Sequence, residues 1–175
     1  MIRLSVPLFL LGGLLAAPAV AQQGQPSLSA WLRQANMNAR NRIVGFADKM
    51  PEEHFGMRPG TQATGRSFGQ YLGHVANLNY VWCSQAKGEK NPKAGIDLEK
   101  LTSKAEMVKA VHDAFAYCDG AYDALTDASG MEVIDATQEN GMPMRSPRIA
   151  VLILNYGHNN EVFGDLNTFM RMKDL

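Results

Sequence analysis

Cysteine is scarce here: Cys83 and Cys118 are the only two in 175 residues. Neither lies in C-x-x-C or C-x-x-C-H, which excludes a dithiol redox motif and a c-type haem attachment. An excess of either charge is also lacking. There are 17 Lys and Arg against 17 Asp and Glu, with no basic run. Nucleic acid is therefore a poor candidate partner. No phosphate-binding P-loop, no G-x-G-x-x-G after a strand and no G-x-S-x-G occurs, so the common nucleotide-binding and serine-hydrolase signatures are absent. The chain has no internal repeat and no low-complexity tract. Beyond the first twenty residues, no hydrophobic stretch is long enough to span a membrane.

That first stretch has a different character. Arg3 precedes an almost wholly apolar run, and Ala19-Val20-Ala21 is a small-x-small cleavage site. Residues 1–21 read as a secretory signal peptide cut after Ala21, leaving a domain of residues 22–175. No cysteine follows the apolar run, which argues against a lipoprotein. The expected location is periplasmic or secreted. Without Arg3 the mature chain has a net charge near −1. About 154 residues remain, enough to bury a substantial core. In an exported protein two cysteines are a candidate disulfide, with two separate buried thiols as the alternative.

The strongest local signal is Ser67 to Lys87. Ser67 and Gln70 have the spacing of a capping box. Phe68, Tyr71, Leu72, Val75, Leu78 and Trp82 then recur at three and four residues, predicting an amphipathic helix. An earlier helix is expected from Ser27 or Ser29 to about Met50, stopped by Pro51. A third starts at Ser103, which with Glu106 has the same capping spacing. A fourth is expected from Ser146-Pro147, with proline at the first helical position, to near the end of the chain. Residues 51–66, 88–102 and 127–145 are rich in Gly, Pro and turn formers. VIDATQ within the last of these is a weak strand signal. Four helices of about twenty residues with long links predict an all-α four-helix bundle.

Two histidines fall on inward stripes of this pattern. His74 is three residues after Tyr71 and four before Leu78. His158 lies on the apolar face of the last helix, in a turn also carrying Asn155, Asn159 and Glu161. A buried imidazole requires a partner. Bundle cores can hold metals between facing helices. The alternative is a polar core network without metal. His54 and His112 sit beside acidic residues and read as surface groups.

The order of helices, with MPEEHFGMRPG before the helix bearing His74 and GHNNEVFGDLNTFMRMK near the end, resembles the DinB-like (DinB/YfiT) proteins. The resemblance spans essentially the whole mature chain. It implies an up-down-down-up four-helix bundle with a long crossover between helices two and three. It also implies a divalent metal, zinc or nickel, held by one histidine on helix two and two on helix four, four residues apart. His74 and His158 match the first two positions. Val162 falls on the usual third position and cannot ligate, so the implied centre is degenerate. Glu161 is the candidate third ligand, and Asn155 is also within a turn. Some similar proteins join a low-molecular-weight thiol to an electrophile. The expected protein is thus an exported binder of a small molecule, with thiol-dependent group transfer as its chemistry and a homodimer as a further expectation. The alternative is a non-enzymatic stress-related binding or interaction bundle with no metal. The implied crossover makes helices two and three parallel. Cys83 and Cys118 would then lie at matching heights, as a disulfide requires.

Overall fold

The computed structural model describes residues 27–60 and 64–175. The expected signal peptide and the start of the mature chain lie outside the described residues. Four long helices form the body: α1 (Leu28–Lys49), α2 (Phe68–Lys87), α3 (Lys104–Asp123) and α5 (Arg148–Arg171), with a short α4 (Asp127–Gly130) between the last two. Each early start follows from its cap. Ser27 accepts from the Ala30 N–H, and both bonds of the capping box form at Ser67/Gln70 and at Ser103/Glu106. These side chains satisfy backbone donors that the first helical turn leaves without partners. Pro51 follows α1 as its stop.

Side-chain contacts give the helix directions. Helices α2 and α3 run parallel: Gly69 lies against Met107 near their starts, and the Tyr80 and Tyr117 rings are 5.3 Å apart farther along. Helices α1 and α3 are antiparallel, with Arg33 bonded to the Tyr122 carbonyl and His112 to Asp48. Helix α2 is antiparallel to α5, since Phe68 meets Phe169. Helix α1 runs with α5, through Trp31–Tyr156 and Phe46–Phe163. The order is up-down-down-up, as expected. The larger core cluster packs Phe68, Leu72, Phe115, Leu166 and Phe169, and a second packs Leu32, Tyr122 and Leu152 around the cysteines. Cys83 and Cys118 are at disulfide distance, with Cα atoms 5.2 Å apart.

The helical bundle carries one small sheet, where the weak strand signal of VIDATQ lies. Val133–Thr137 (β1) and Pro143–Pro147 (β2) form an antiparallel hairpin, with Val133 opposite Pro147 and Thr137 opposite Pro143. Ser146 and Pro147 thus end a strand, and α5 begins at Arg148 rather than at Pro147. The Arg148 N–H bonds to the Glu132 carbonyl, so pairing extends to the first helical residue. Prolines at both ends of β2 suit a two-stranded edge, where missing N–H groups cost little. The hairpin is fastened to the bundle. Ala136 packs against Leu78, Trp82 and Val151, and Trp82 Nε1–H donates to the Thr137 carbonyl at 2.9 Å. Gln85 makes two further bonds to Thr137. Among the described residues, no helix is long and apolar enough to cross a membrane.

The crossover between α2 and α3 lies close on α2. It contains a 3₁₀ turn, Leu98–Lys100, whose backbone reaches Gly73. A Cβ at residue 73 would sit 2.7 Å from the Glu99 Cα. Backbone cannot yield as a flexible side chain does. Gly73→Ala is therefore expected to cost about 1–3 kcal/mol, the usual range for overpacking. Urea unfolding of the variant measures this, and unchanged stability would show that the crossover moves freely.

Candidate metal centre

His74 stands in the second turn of α2 and His158 midway along α5. Both are buried, and their ring centroids lie 4.9 Å apart, edge to face. The Trp82 ring packs against His158 from the other side, at 5.4 Å. Glu139, at the tip of the β1–β2 hairpin, reaches over the pair. One ligand atom each from His74, His158 and Glu139 all fall within 4.8 Å of one another. The anchored Thr137, two residues before Glu139, sets where that carboxylate can reach.

The hydrogen bonds around the cluster are unequal. His74 Nδ1 lies 2.8 Å from Glu99 Oε1, and Arg66 Nε–H donates to Glu99 Oε2 at 2.9 Å. An ionised carboxylate can only accept, so this contact places a proton on Nδ1 and leaves the Nε2 lone pair free in the neutral ring. His74 Nε2 faces Glu139 Oε1 at 3.4 Å, longer than an ordinary hydrogen bond. His158 is only 6% exposed, and among the described residues neither of its ring nitrogens makes a hydrogen bond of ordinary geometry. A buried polar atom left in that state typically costs about 1–3 kcal/mol. Two ring nitrogens and a carboxylate that converge in this way suit a cation between them. His₂Glu is an established zinc donor set.

A cavity of ≈ 210 Å³ opens onto the three groups, with Arg66, Tyr71, Glu161, Val162 and Asp165 also lining it. Burial holds His158 below its ordinary 6.5, at about 4, and Arg66, together with His74 once that ring is protonated, acts in the same direction. The adjoining Asn159 side chain acts in the opposite sense, through a contact with the ring that falls outside ordinary hydrogen-bond geometry. Burial and then the adjacent Asp165 raise the Tyr71 phenol. At neutral pH His158 is thus uncharged, as a ligand must be.

The depressed value makes stability depend on pH. Below 6.5 the unfolded chain takes up a proton on His158 that the folded chain refuses until about pH 4. Metal-free protein should therefore lose about 2–3 kcal/mol through this group between pH 7.5 and 4.5. Urea unfolding at the two pH values, compared with His158→Leu, isolates that loss. Equal pH dependence in both proteins would contradict it.

Of the residues expected from the sequence, His74 and His158 are brought together. Glu161 lines the cavity but is solvent-exposed, and the converging carboxylate is that of Glu139. Val162 is buried in the larger core cluster and also borders the cavity. Asn155 is committed elsewhere: it accepts from Tyr122 O–H at 2.8 Å and donates to Asn79 at 2.7 Å. His112 is on the surface, and His54 lies in the turn after α1, away from the cluster. Sequence reasoning missed Glu139 and Glu99. Asn140-Gly141 is a hairpin-turn signal that could have put Glu139 at a tip, and Gly141 adopts a positive φ of 80°. Nothing local points Glu139 toward His74.

The fold and cluster define a class: an up-down-down-up helical bundle with two imidazoles on facing helices and a carboxylate closing over them. The sequence model for the DinB superfamily matches residues 37–159, and the chain belongs to that superfamily. The crystal structure of a DinB-like protein from Bacillus cereus ATCC 10987 is similar, with a TM-score of 0.67 at 18% identity. The match covers 85% of this chain and 94% of that one, and it reflects a shared fold. No curated protein is significantly similar in sequence.

Proposed function

We propose that this is an exported metal-binding member of the DinB superfamily. A divalent cation is held by His74, His158 and Glu139, and a small molecule enters the adjoining cavity. The observation that carries this reading is His158. A nearly fully buried imidazole with two unpartnered nitrogens, beside the free Nε2 of His74 and a carboxylate, is costly unless something binds there.

The bound ion supplies a Lewis acid and lowers the pKa of a thiol or water it holds. The chain's own residues set the conditions. His74 and His158 offer ring nitrogens, and Glu139 offers a carboxylate from a fastened hairpin. Trp82 shields one side of His158 from water. Arg66 and Tyr71 stand at the wall where a substrate's polar groups would pass. Thiol-dependent transfer to an electrophile is the chemistry this reading favours. The apolar leader with its small-residue cleavage site and the paired cysteines support export to an oxidising compartment.

The test is the metal content of the purified mature protein, with and without His74→Ala. The expected result is about one divalent ion per chain, lost in the variant. Absence of metal from both, after incubation with zinc or nickel, overturns the reading in favour of a metal-free binding bundle.

A further inference from the structure

We propose that Glu99 is a positioning residue: it holds His74 with Nδ1 protonated, so that the Nε2 lone pair faces Glu139 and His158. The proposal deepens the metal-binding reading and rests on His74 being a ligand, but the tautomer can be measured without metal.

Glu99 comes from the crossover, 25 residues after His74, and the fold has several ways of bringing it there. Gly73, with no side chain, lets the crossover backbone lie directly against α2. Asn77, one turn beyond His74, fastens it. Its Oδ1 accepts from the Leu98 N–H at 3.0 Å, and its Nδ2 donates to Asp97 Oδ1 at 3.1 Å. The same Asp97 oxygen accepts from the Glu99 N–H at 3.1 Å, fixing the turn that launches the side chain. Arg66 takes the second carboxylate oxygen, so the first is left for His74. With both oxygens engaged, rotation of Glu99 is restricted, and with it the plane of the His74 ring. Outer carboxylates of this kind commonly fix a ligand's tautomer and raise its basicity.

Without Glu99, His74 could carry its proton on Nε2, pointing into the cluster and blocking a cation. The substitution Glu99→Ala removes the acceptor. Glu99→Gln has a single amide oxygen for the two donors, Arg66 Nε–H and His74 Nδ1–H, so its NH₂ group must face one of them. Long-range ¹H–¹⁵N spectra of metal-free protein at pH 8 report which ring nitrogen is protonated. Zinc affinity, from competition with a chromophoric chelator, reports the consequence.

The wild type should show His74 protonated on Nδ1 alone. Glu99→Ala should redistribute that proton and weaken zinc by about 10–100-fold, the usual effect of losing such a partner. In Glu99→Gln the amide oxygen goes to the charged Arg66 and the NH₂ group faces His74 Nδ1, so this variant should also move the proton to Nε2 and weaken zinc. A merely structural role would instead lower the melting temperature without moving the tautomer. The proposal is overturned if wild-type His74 is protonated on Nε2 or on both nitrogens, or if folded Glu99→Ala keeps the Nδ1 proton and binds zinc like the wild type. If the wild type binds no zinc but its tautomer depends on Glu99, the metal reading fails and the positioning role stands.

Discussion

His158→Leu should weaken metal binding sharply and, at the same time, make the metal-free protein more stable. The two effects have one cause. Both ring nitrogens of His158 are buried without partners, so the folded chain carries a desolvation cost that a side chain of similar size without polar atoms removes. Relief of that cost is expected to add about 1–3 kcal/mol at neutral pH. Losing one of three ligands should weaken zinc by at least about 100-fold, roughly 2.7 kcal/mol in binding. Opposite movement of stability and function is typical of a site held in readiness for a ligand. A histidine kept only for its packing predicts the reverse for stability, because the variant would lose contacts with Trp82 and His74 and gain nothing. Urea unfolding of metal-free wild type and variant, with zinc titrations of each, separates the two. A destabilised variant that still binds zinc would contradict the assignment.

Replacing both Cys83 and Cys118 with alanine should lower stability by about 2–4 kcal/mol. For a domain of this size that corresponds to a fall in melting temperature of roughly 4–16 °C. The pair joins two parallel helices across 35 residues of sequence, so a bridge would restrict the unfolded chain strongly. Both positions are fully buried beside Leu32, Tyr122 and Leu152, where reductants have little access. Thiol counting on denatured, unreduced protein should find no free thiol. Two per chain, with a double variant as stable as the wild type, would show that the sulfurs meet without bonding.

The helical frame was legible because its signals are local. Ser67 with Gln70 and Ser103 with Glu106 announce helix starts within four residues, and both capping boxes form. Periodicity placed His74 and His158 on inward stripes, which carries them into the same core. The parallel course of α2 and α3 came from the family resemblance and the length of the crossover. The hairpin was largely illegible. Its strands are five residues each, β2 is bounded by prolines, and its register depends on packing of Ala136 under Trp82. Glu139 and Glu99 escaped for a related reason. Each stands in a connection, and its meaning comes from what lies opposite it in space. Along α5 the residue beside Val162 that could ligate is Glu161, and a linear reading compares only neighbours on one helix.

The central claim is that one cation lies between His74, His158 and Glu139. Anomalous diffraction at the zinc edge, from crystals of the mature protein grown with zinc, tests it most directly. The expected result is a single strong peak bounded by His74 Nε2, a ring nitrogen of His158 and the Glu139 carboxylate, about 2.0–2.2 Å from each. Crystals with no peak at that position, and with both imidazoles still facing each other, would contradict it.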